Sequence, residues 1–404
     1  MTVPAVLLCA HTPVTQYIVG GLPLLLRHII ELYRLGVTEV YLVGPSDISH
    51  VARHRRLPTG IVLHPVPCTR AATLQQQLRA LPIPLQDALI LWSQWVIDPR
   101  LLRALLVTLH PQWLVSPGAS SKASPVAARL SPEQFSSCRT RDITAWFQEN
   151  PPLDPATLDT YSPAHRGPVD LYLQPLTTPD DAVVATHRLI AQARKTTMDL
   201  IASILDRLFV NRLVFWLSYT RITPNQITLA TGVLGALAAW LFLSGWLPGG
   251  VLLAYAAATL DGVDGKLART TLQFSRLGEL EHVLDFFMEQ SWYLTITTYL
   301  AATTGKHSLL WIGGGLMICD LIVKVLYGCG RLLFGKHLEE LGHFDRIFRR
   351  IGGRRNIYIA ILLIGALTGF PQQALGLALA WALLTVAVHM SRMMYHLIQR
   401  TAPV

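Results

Sequence analysis

Five carboxylates lie close together between Leu260 and Asp285, in a stretch with long apolar segments on both sides. They are Asp261, Asp264, Glu279, Glu281 and Asp285. Charged side chains in apolar sequence cost free energy unless they are paired or bind a ligand. Asp261 and Asp264 are three residues apart, and Glu281 and Asp285 are four apart, so each pair lies on one face of a helix. Two helices with carboxylates at the same depth offer an all-oxygen site for Mg²⁺ or Mn²⁺.

Small and basic residues next to the first pair of acids suit a phosphate ligand. Gly262 and Gly265 leave space beside these acids, and Arg269 follows two helical turns after Asp261. An arginine binds phosphate through a planar fork of donors. A metal, a phosphate and a spare carboxylate together predict phosphoryl-group transfer from a diphosphate donor.

The composition indicates that helices inside a membrane hold these residues. Of the 404 residues, 51% are hydrophobic and only 15% are charged, and the apolar excess lies in the second half. Six apolar segments predict an all-α bundle of six transmembrane helices, at about 226–243, 247–260, 282–302, 309–327, 357–370 and 374–389. The lysines and arginines between them favour one side. By the positive-inside rule, we expect both termini and the acidic site to be cytosolic; if the source is a prokaryote, the membrane is the cytoplasmic membrane.

The charge and the cysteines bound the possible partners. The net charge of +9 indicates contact with the headgroups of membrane lipids or with phosphates. Because no basic stripe is interleaved with aromatic residues, nucleic acid is not expected as a partner. The five cysteines show no metal-binding spacing and are typical of reduced thiols. We expect no signal peptide, since a basic segment before an apolar core is missing.

The first half alternates strand-like and helical segments. "PAVLLCA" and "TEVYLVG" have the length of strands, and "LPLLLRHIIELYRLGV" between them has helical periodicity. This alternation predicts an α/β domain with a mainly parallel sheet over residues 1–180. The pattern resembles the Rossmann-like sugar-phosphate nucleotidyltransferases. It lacks their glycine-rich phosphate loop and has Ser93 and Gln94 where they have a metal-binding aspartate, so we predict a degenerate domain; altered nucleotide chemistry is the alternative.

Residues 181–222 and 223–404 are predicted as two further parts. The first is mixed in charge, helical and amphipathic, which suits juxtamembrane helices at the membrane interface; a plain interdomain helix is the alternative. The second is the membrane domain. Its first helix follows "TRITPNQIT", where Thr223 or Asn225 is available as the N-cap.

One motif in the membrane domain is long and specific. "DGVDGKLARTTLQFSRLG" matches the signature D-x₂-D-G-x₂-A-R-x₈-G of the CDP-alcohol phosphatidyltransferase family at every fixed residue. "TPNQIT" and the six predicted helices also resemble that family, from about residue 199 to the C-terminus. The fusion to a nucleotidyltransferase-like domain resembles the bifunctional inositol-phosphate cytidylyltransferase/di-inositol-phosphate-phosphate synthases. In them the soluble part makes CDP-inositol and the membrane part joins it to inositol phosphate.

The resemblance implies a membrane phosphotransferase of phospholipid or inositol-phosphate biosynthesis. It would move a phosphoalcohol unit from a CDP-alcohol donor to an acceptor hydroxyl and release CMP. Two Mg²⁺ or Mn²⁺ ions would hold the diphosphate, and a further acid would deprotonate the acceptor. Gly265, Ala268 and Gly278 would shape the nucleotide pocket, with Arg269 beside the phosphates. Family members also form homodimers, which is the assembly expected here.

The signature then shifts by one residue. The family pattern G-x₃-D-x₃-D would fall on His282 and Phe286, whereas the acids here are Glu281 and Asp285. A one-residue deletion makes Glu281 the third metal ligand and Asp285 the base. A second register makes Asp285 the ligand and Glu289 the base. The metal ligands that we predict are Asp261, Asp264, Glu281 and Asp285. An inactive membrane scaffold that still binds CDP and metal is the alternative.

Other charged residues lie near the fifth and in the fourth apolar segment. "RRIGGRRNIY" contains Arg349, Arg350, Arg354 and Arg355. The resemblance implies that Arg354 and Arg355 bind the phosphate of an acceptor such as a phosphorylated polyol; the alternative is topogenic charge that binds lipid headgroups. Asp320 and Lys324 are four apart in the fourth segment and are predicted to form an ion pair inside the bundle.

Overall fold

Strands and helices divide the chain near its middle. The structure is a computed structural model that describes residues 3–401 except 10–12, 45–48, 69–71, 83–86, 109–111, 117–124, 141–142, 151, 163–164 and 275–276. For residues 13, 49, 50, 139, 140, 143–145, 277–282 and 401 it describes the backbone only. Two units are present: Met1–Thr160 with Val169–Gln192, and Tyr161–Pro168 with Ala193–Val404.

The elements follow one another in this order. The strands are β1 (Ala5–Leu8), β2 (Ile18–Val19), β3 (Leu22–Pro23), β4 (Glu39–Gly44), β5 (Val62–Pro67), β6 (Ala88–Trp92), β7 (Trp95–Ile97), β8 (Gln112–Val115), β9 (Pro125–Leu130), β10 (Tyr161–Ser162), β11 (Gly167–Pro168) and β12 (Leu173–Pro175). The helices are α1 (Leu24–Arg34), α2 (Ser49–Ala52), α3 (Leu74–Arg79), α4 (Pro99–Val107), α5 (Pro132–Thr140), α6 (Ile143–Glu149), α7 (Pro179–Gln192), α8 (Leu200–Leu205), α9 (Asn211–Ser218), α10 (Pro224–Leu243), α11 (Leu247–Thr270), α12 (Leu277–Thr304), α13 (Ser308–Phe334), α14 (His343–Ile351), α15 (Arg355–Thr368) and α16 (Pro371–Thr401).

The first unit contains a six-stranded sheet in the order β5-β4-β1-β6-β9-β8. β5, β4, β1 and β6 are parallel, and β9 runs antiparallel to both β6 and β8. Every residue of β1 is buried, as expected for a parallel strand covered on both faces. The predicted α/β character of this half is therefore confirmed, and the sheet is mixed.

Helix α7 extends the first unit beyond the predicted boundary at residue 180. Ala182, Ala185 and Leu189 are buried in one apolar cluster with Val14 and Val19. This helix therefore packs as part of the first unit, which ends at Gln192. The juxtamembrane segment of the second unit is correspondingly shorter than residues 181–222.

That shorter juxtamembrane segment consists of α8, a π-helical turn at Asp206–Val210, and α9. Ile204, Phe209 and Trp216 are exposed, whereas Val210 and Val214 are buried within the unit. The segment is amphipathic, and an interfacial location remains a prediction.

The second unit is otherwise helical. Among the described residues, four stretches are long and apolar enough to cross a membrane: Pro224–Leu243, Ser308–Phe334, His343–Thr368 and Pro371–Arg400. Helices α11 and α12 are not among them, although they have 24 and 28 residues. Their charged side chains lower the mean hydropathy. Six spans therefore remain a prediction.

Close helix contacts position the acidic segment. A Cβ atom on Gly235 of α10 would lie 2.0 Å from Met288 Sδ on α12, so a larger residue there would require Met288 to move. One turn further along α12, the Trp292 indole donates to the Gly235 carbonyl over 2.8 Å. These contacts hold α12 against α10 beside the turn that contains Asp285.

Candidate active site

Three of the predicted acids open on one cavity of about 300 Å³. Asp261 and Asp264 come from α11, and Asp285 comes from α12. The remaining wall consists of Thr228, Thr231, Gly232 and Ala236 of α10, and Leu284, Phe287, Met288 and Ser291 of α12. The side chains of Gly278, Glu279 and Glu281 lie outside the described residues. Three helices thus surround a polar floor with apolar walls.

Asp264 is held in place by the first helix of the bundle. Its carboxylate is buried and accepts a hydrogen bond from the Thr228 hydroxyl over 2.7 Å. Thr228 lies in the second turn of α10, which begins with a capping box between Thr223 and Gln226. The predicted cap at Thr223 is therefore confirmed. A hydroxyl that orients a ligating carboxylate is a common feature around metal sites.

Arg355 stands between the acids of α11 and α12. Its Nη2 lies 2.7 Å from Asp261 Oδ2, and its Nη1 lies 3.3 Å from Glu289 Oε1 and 3.9 Å from Asp285 Oδ1. Its side chain is only 12% exposed. The sequence placed Arg355 with Arg354 in a separate phosphate-binding group. The structure instead shows this guanidinium inside the acidic cluster.

Glu289 continues the charge network away from the cavity. Lys324 Nζ lies 2.5 Å from Glu289 Oε2 and 2.8 Å from Asp320 Oδ2. The predicted pair of Asp320 and Lys324 is therefore present, with Glu289 as a further partner. Sequence reasoning missed this partner. One signal was available in the sequence. A charged pair inside an apolar helix is costly, so a further acid from a neighbouring helix could have been sought for Lys324.

The described acids fit a hard divalent cation in their chemistry. Asp261, Asp264 and Asp285 supply the oxygen donors that Mg²⁺ and Mn²⁺ prefer. The Arg355 guanidinium on Asp261 is a stand-in for such a cation. Among the described side chains, no group of three His, Cys, Asp or Glu is close enough to hold an ion in this arrangement. Because Arg355 occupies Asp261 Oδ2, we expect a cation that binds this oxygen to displace Arg355.

The remaining predicted pocket residues lie further along α11. Gly265 provides room for an arginine, because a Cβ atom there would lie 3.4 Å from Arg269 Nη1. Arg269 Nε donates to the Ala193 carbonyl over 2.9 Å, and Ala268 beside it is half-buried. Lys266, which lies between Gly265 and Ala268 on α11, is buried, and its Nζ donates to Asp206 of the juxtamembrane segment over 2.5 Å. These contacts fix the end of α11 to the juxtamembrane segment.

The other arginines of "RRIGGRRNIY" have different surroundings. Arg349 is 4% exposed and lies 3.5 Å from the buried Glu339, which also pairs with Arg166 over 3.2 Å. Arg350 is exposed and Arg354 is half-buried. The four arginines therefore do not act as one patch.

Comparison with known proteins gives one family. The sequence profile of the CDP-alcohol phosphatidyltransferases matches residues 221–393. Archaetidylinositol phosphate synthase of Aeropyrum pernix is 36% identical over 176 residues, which cover 43% of this chain and 81% of that protein. The bifunctional IPC transferase and DIPP synthase of Rubrobacter xylanophilus is 30% identical over 161 residues, which cover 39% of this chain and 34% of that protein.

The matches to the bifunctional proteins are partial. The corresponding protein of Thermococcus kodakarensis is 29% identical over 210 residues and is matched over 47% of its own length. The chain thus spans about a third to a half of these two relatives. The crystal structure of Mycobacterium tuberculosis phosphatidylinositol phosphate synthase with CDP-DAG bound is 16% identical, with a TM-score of 0.37 over 46% of this chain and 93% of that one. So low a score carries no argument about this protein.

Proposed function

The chain belongs to the CDP-alcohol phosphatidyltransferase family, and on this premise we propose that it moves a phosphoalcohol unit from a CDP-alcohol to an acceptor hydroxyl. One observation carries the proposal. Asp261, Asp264 and Asp285, which lie in and just after the family signature, open on the same cavity. The acceptor oxygen forms the new bond to the phosphorus that bears the donor alcohol, the bond from this phosphorus to CMP breaks, and CMP leaves.

Divalent metal ions held by Asp261, Asp264, Asp285 and Glu281 would bind the diphosphate and stabilise the charge that develops on CMP. The protein prepares this site with its own contacts. Thr228 orients Asp264, and Arg355 compensates the charge of Asp261 until a cation arrives. Leu284 and Phe287 add apolar surface to the wall of the cavity.

We propose Asp285 as the base that takes the proton of the acceptor hydroxyl. Its carboxylate lines the cavity and lies 3.9 Å from Arg355 Nη1. Glu289, the base of the second register, is bonded to Lys324 and Arg355. Glu289 is thus engaged by two cations, whereas Asp285 borders the cavity in which the acceptor would bind. This contrast supports the register with Glu281 as the third ligand.

The acceptor that we propose carries a phosphate, as a phosphorylated polyol does. The name of the Aeropyrum relative places an inositol phosphate in its product. In this chain, the buried Arg349 and the neighbouring Arg354 supply positive charge outside the acidic cluster. Guanidinium groups at such a site suit a phosphate monoester.

The family and the four apolar helices indicate a membrane protein. We further propose that α11 and α12 complete six spans, and that both termini and the acids face the cytosol. The distribution of lysines and arginines supports this orientation. A homodimer follows from the family resemblance alone.

The test is a donor screen on the purified full-length protein. CDP-diacylglycerol and CDP-inositol are offered with inositol 1-phosphate and Mg²⁺, and CMP release is measured. We expect release from one donor class, and none from the Asp264→Asn variant. Binding of CDP without CMP release from any donor would favour the scaffold alternative.

A further inference from the structure

A short hairpin far from the family domain in sequence belongs to the second unit. β10 and β11 pair antiparallel, with Tyr161 opposite Pro168 and Ser162 opposite Gly167. The residues on either side of this hairpin belong to the first unit. The hairpin also lies outside residues 221–393, which match the family. Its contacts are therefore an addition to the family domain.

The backbone of the hairpin is held in a strained conformation at Arg166. This residue has φ 58°, a left-handed value that residues with a side chain rarely adopt. The Thr196 hydroxyl lies 2.9 Å from the His165 carbonyl and 2.8 Å from the Arg166 carbonyl. A Cβ atom on Gly167 would lie 2.4 Å from Thr196 Oγ1. Such strain persists where the surroundings enforce it, often at functional sites.

The hairpin directs Arg166 to a buried carboxylate. Arg166 Nη1 lies 3.2 Å from Glu339 Oε1, and the Tyr161 hydroxyl donates to Glu340 next to it. Burial alone would raise the pKa of Glu339, but Arg349, a backbone hydrogen bond, Arg166 and Arg354 together outweigh burial and lower it. Glu339 is therefore ionised at neutral pH. Its Oε1 is shared by two arginines, Arg166 and Arg349.

Arg349 retains an unused donor beside this carboxylate. Its side chain is 4% exposed; its Nε lies 3.5 Å from Glu339 Oε1, and its Nη1 has no hydrogen-bond partner among the described residues. The guanidinium stacks over the Tyr327 ring at 5.1 Å. Arg354 adds a third positive charge that acts on both Glu339 and Arg349. A buried guanidinium with an unused donor is costly unless an anion binds to it.

We propose that the hairpin completes a phosphate subsite on the membrane unit, in which Arg166 neutralises Glu339 so that Arg349 is free to bind a phosphate monoester. Without Arg166, the Glu339 carboxylate would be paired with Arg349 alone and would repel the incoming anion. The assignment of this phosphate to the acceptor rests on the function proposed above. The binding of phosphate itself does not require transfer.

The test measures the binding of inorganic phosphate to the full-length protein in a neutral detergent without divalent metal. Titration calorimetry compares wild type with Arg166→Gln, Arg166→Lys and the control Arg350→Gln, which removes the same charge from an exposed residue next to Arg349. We expect Arg166→Gln to weaken phosphate binding about tenfold. Arg166→Lys keeps the charge and should stay within about threefold, and Arg350→Gln within about twofold. Equal binding by wild type and Arg166→Gln would overturn the proposal.

A double variant tests how Arg166 acts. In Arg166→Gln with Glu339→Gln no carboxylate competes for Arg349, so binding should return to within about threefold of wild type. A double variant as weak as the single one would show direct contact with phosphate and would contradict the neutralising role. If the double variant does not fold, as judged by its thermal transition, the Arg166→Lys result decides. Retention of affinity supports neutralisation, and a tenfold loss contradicts it.

Two further arms separate the ligand source and the proposed function. Phosphatidylglycerol that displaces phosphate with equal affinity would overturn the choice of a monoester over a lipid headgroup. If no donor gives CMP but Arg166→Gln still weakens phosphate binding, the subsite stands and the proposed transfer fails. If CMP is released and Arg166→Gln binds phosphate like wild type, the transfer stands and the subsite fails.

Discussion

Both units bury charged side chains, but they use them differently. In the first unit, Arg27 and Glu31 lie four residues apart on α1, 3.0 Å from each other and almost fully buried. In the second unit, Asp261 and Asp285 come from two helices and share Arg355 from a third. Pairing within one helix serves the fold of that helix. Among the described side chains, the acids that converge on the cavity come from different helices, which supports the binding site proposed above.

The first unit also differs from the second at the position where the nucleotidyltransferases, which its sequence resembles, have a metal-binding aspartate. Ser93, at the place of the metal-binding aspartate, is fully buried, and its hydroxyl donates to the Leu8 carbonyl over 2.8 Å. It therefore serves the sheet. This contact supports a first unit without nucleotidyl transfer, which remains our proposal.

The largest expected effect is the loss of the acids on α11. Asp261→Asn or Asp264→Asn removes an anionic oxygen that a divalent cation needs, so CMP release should fall by at least about 10³-fold and CDP binding in Mg²⁺ should weaken. Ser291→Ala, which changes another residue of the cavity wall, is the control and should stay near wild type. Near-normal turnover in either aspartate variant would remove the basis of the proposed transfer.

The next effect separates the base from the ligands. Asp285→Asn should lower turnover about 10²–10⁴-fold while CDP binding in Mg²⁺ is kept, because a base acts on the acceptor and not on the donor. Glu281→Gln should weaken metal and donor binding together. Glu289→Gln should change turnover less than Asp285→Asn. Loss of metal binding in Asp285→Asn, with loss of turnover alone in Glu289→Gln, would select the second register.

Arg355 provides a smaller effect that is visible without any turnover. Arg355→Gln leaves Asp261, Asp285 and Glu289 without their shared cation, so the metal-free protein should unfold about 5 °C earlier. Mn²⁺ should bind the Arg355→Gln variant more tightly than wild type, because no guanidinium competes for Asp261. Electron paramagnetic resonance measures this affinity. The exposed Arg350→Gln variant is the control. Unchanged Mn²⁺ affinity in Arg355→Gln would show that this arginine does not compete with the cation.

Local features of the site were predictable from the sequence, and long-range ones were not. The spacing of Asp261 and Asp264 placed both on one helix face, and the spacing of Asp320 and Lys324 predicted their pair, because helical periodicity acts over three or four residues. The insertion of Arg355 between two acidic helices depends on how α15 packs. The pairing of Arg166 with Glu339 joins residues far apart in sequence. No periodic pattern encodes such contacts.

The smallest expected effect lies in the first unit and tests whether its buried pair is only structural. Burial raises the pKa of Glu31 from its usual 4.5 to about 7, although the Arg27 guanidinium opposes this shift. The folded state thus favours the protonated acid. Its contribution to stability is complete below about pH 4.5 and is lost as the pH rises through about 7.

Glu31→Gln imitates the protonated acid, and comparison with wild type removes the effects of other groups. Burial lowers the pKa of the neighbouring His28 to about 4, so His28 contributes stability above its usual 6.5 that is lost as the pH falls toward 4. The pH dependence due to His28 runs opposite to that due to Glu31. It is the same in wild type and in Glu31→Gln, so the comparison cancels it. We expect hydrogen-exchange protection of α1 to match wild type at pH 5, and to exceed it by about 1–3 kcal/mol at pH 8. The exposed Glu133→Gln variant should show no such trend. A Glu31→Gln protein that is less protected than wild type at pH 8 would mean that Arg27 keeps Glu31 ionised, and that the first unit too holds a charge its fold depends on.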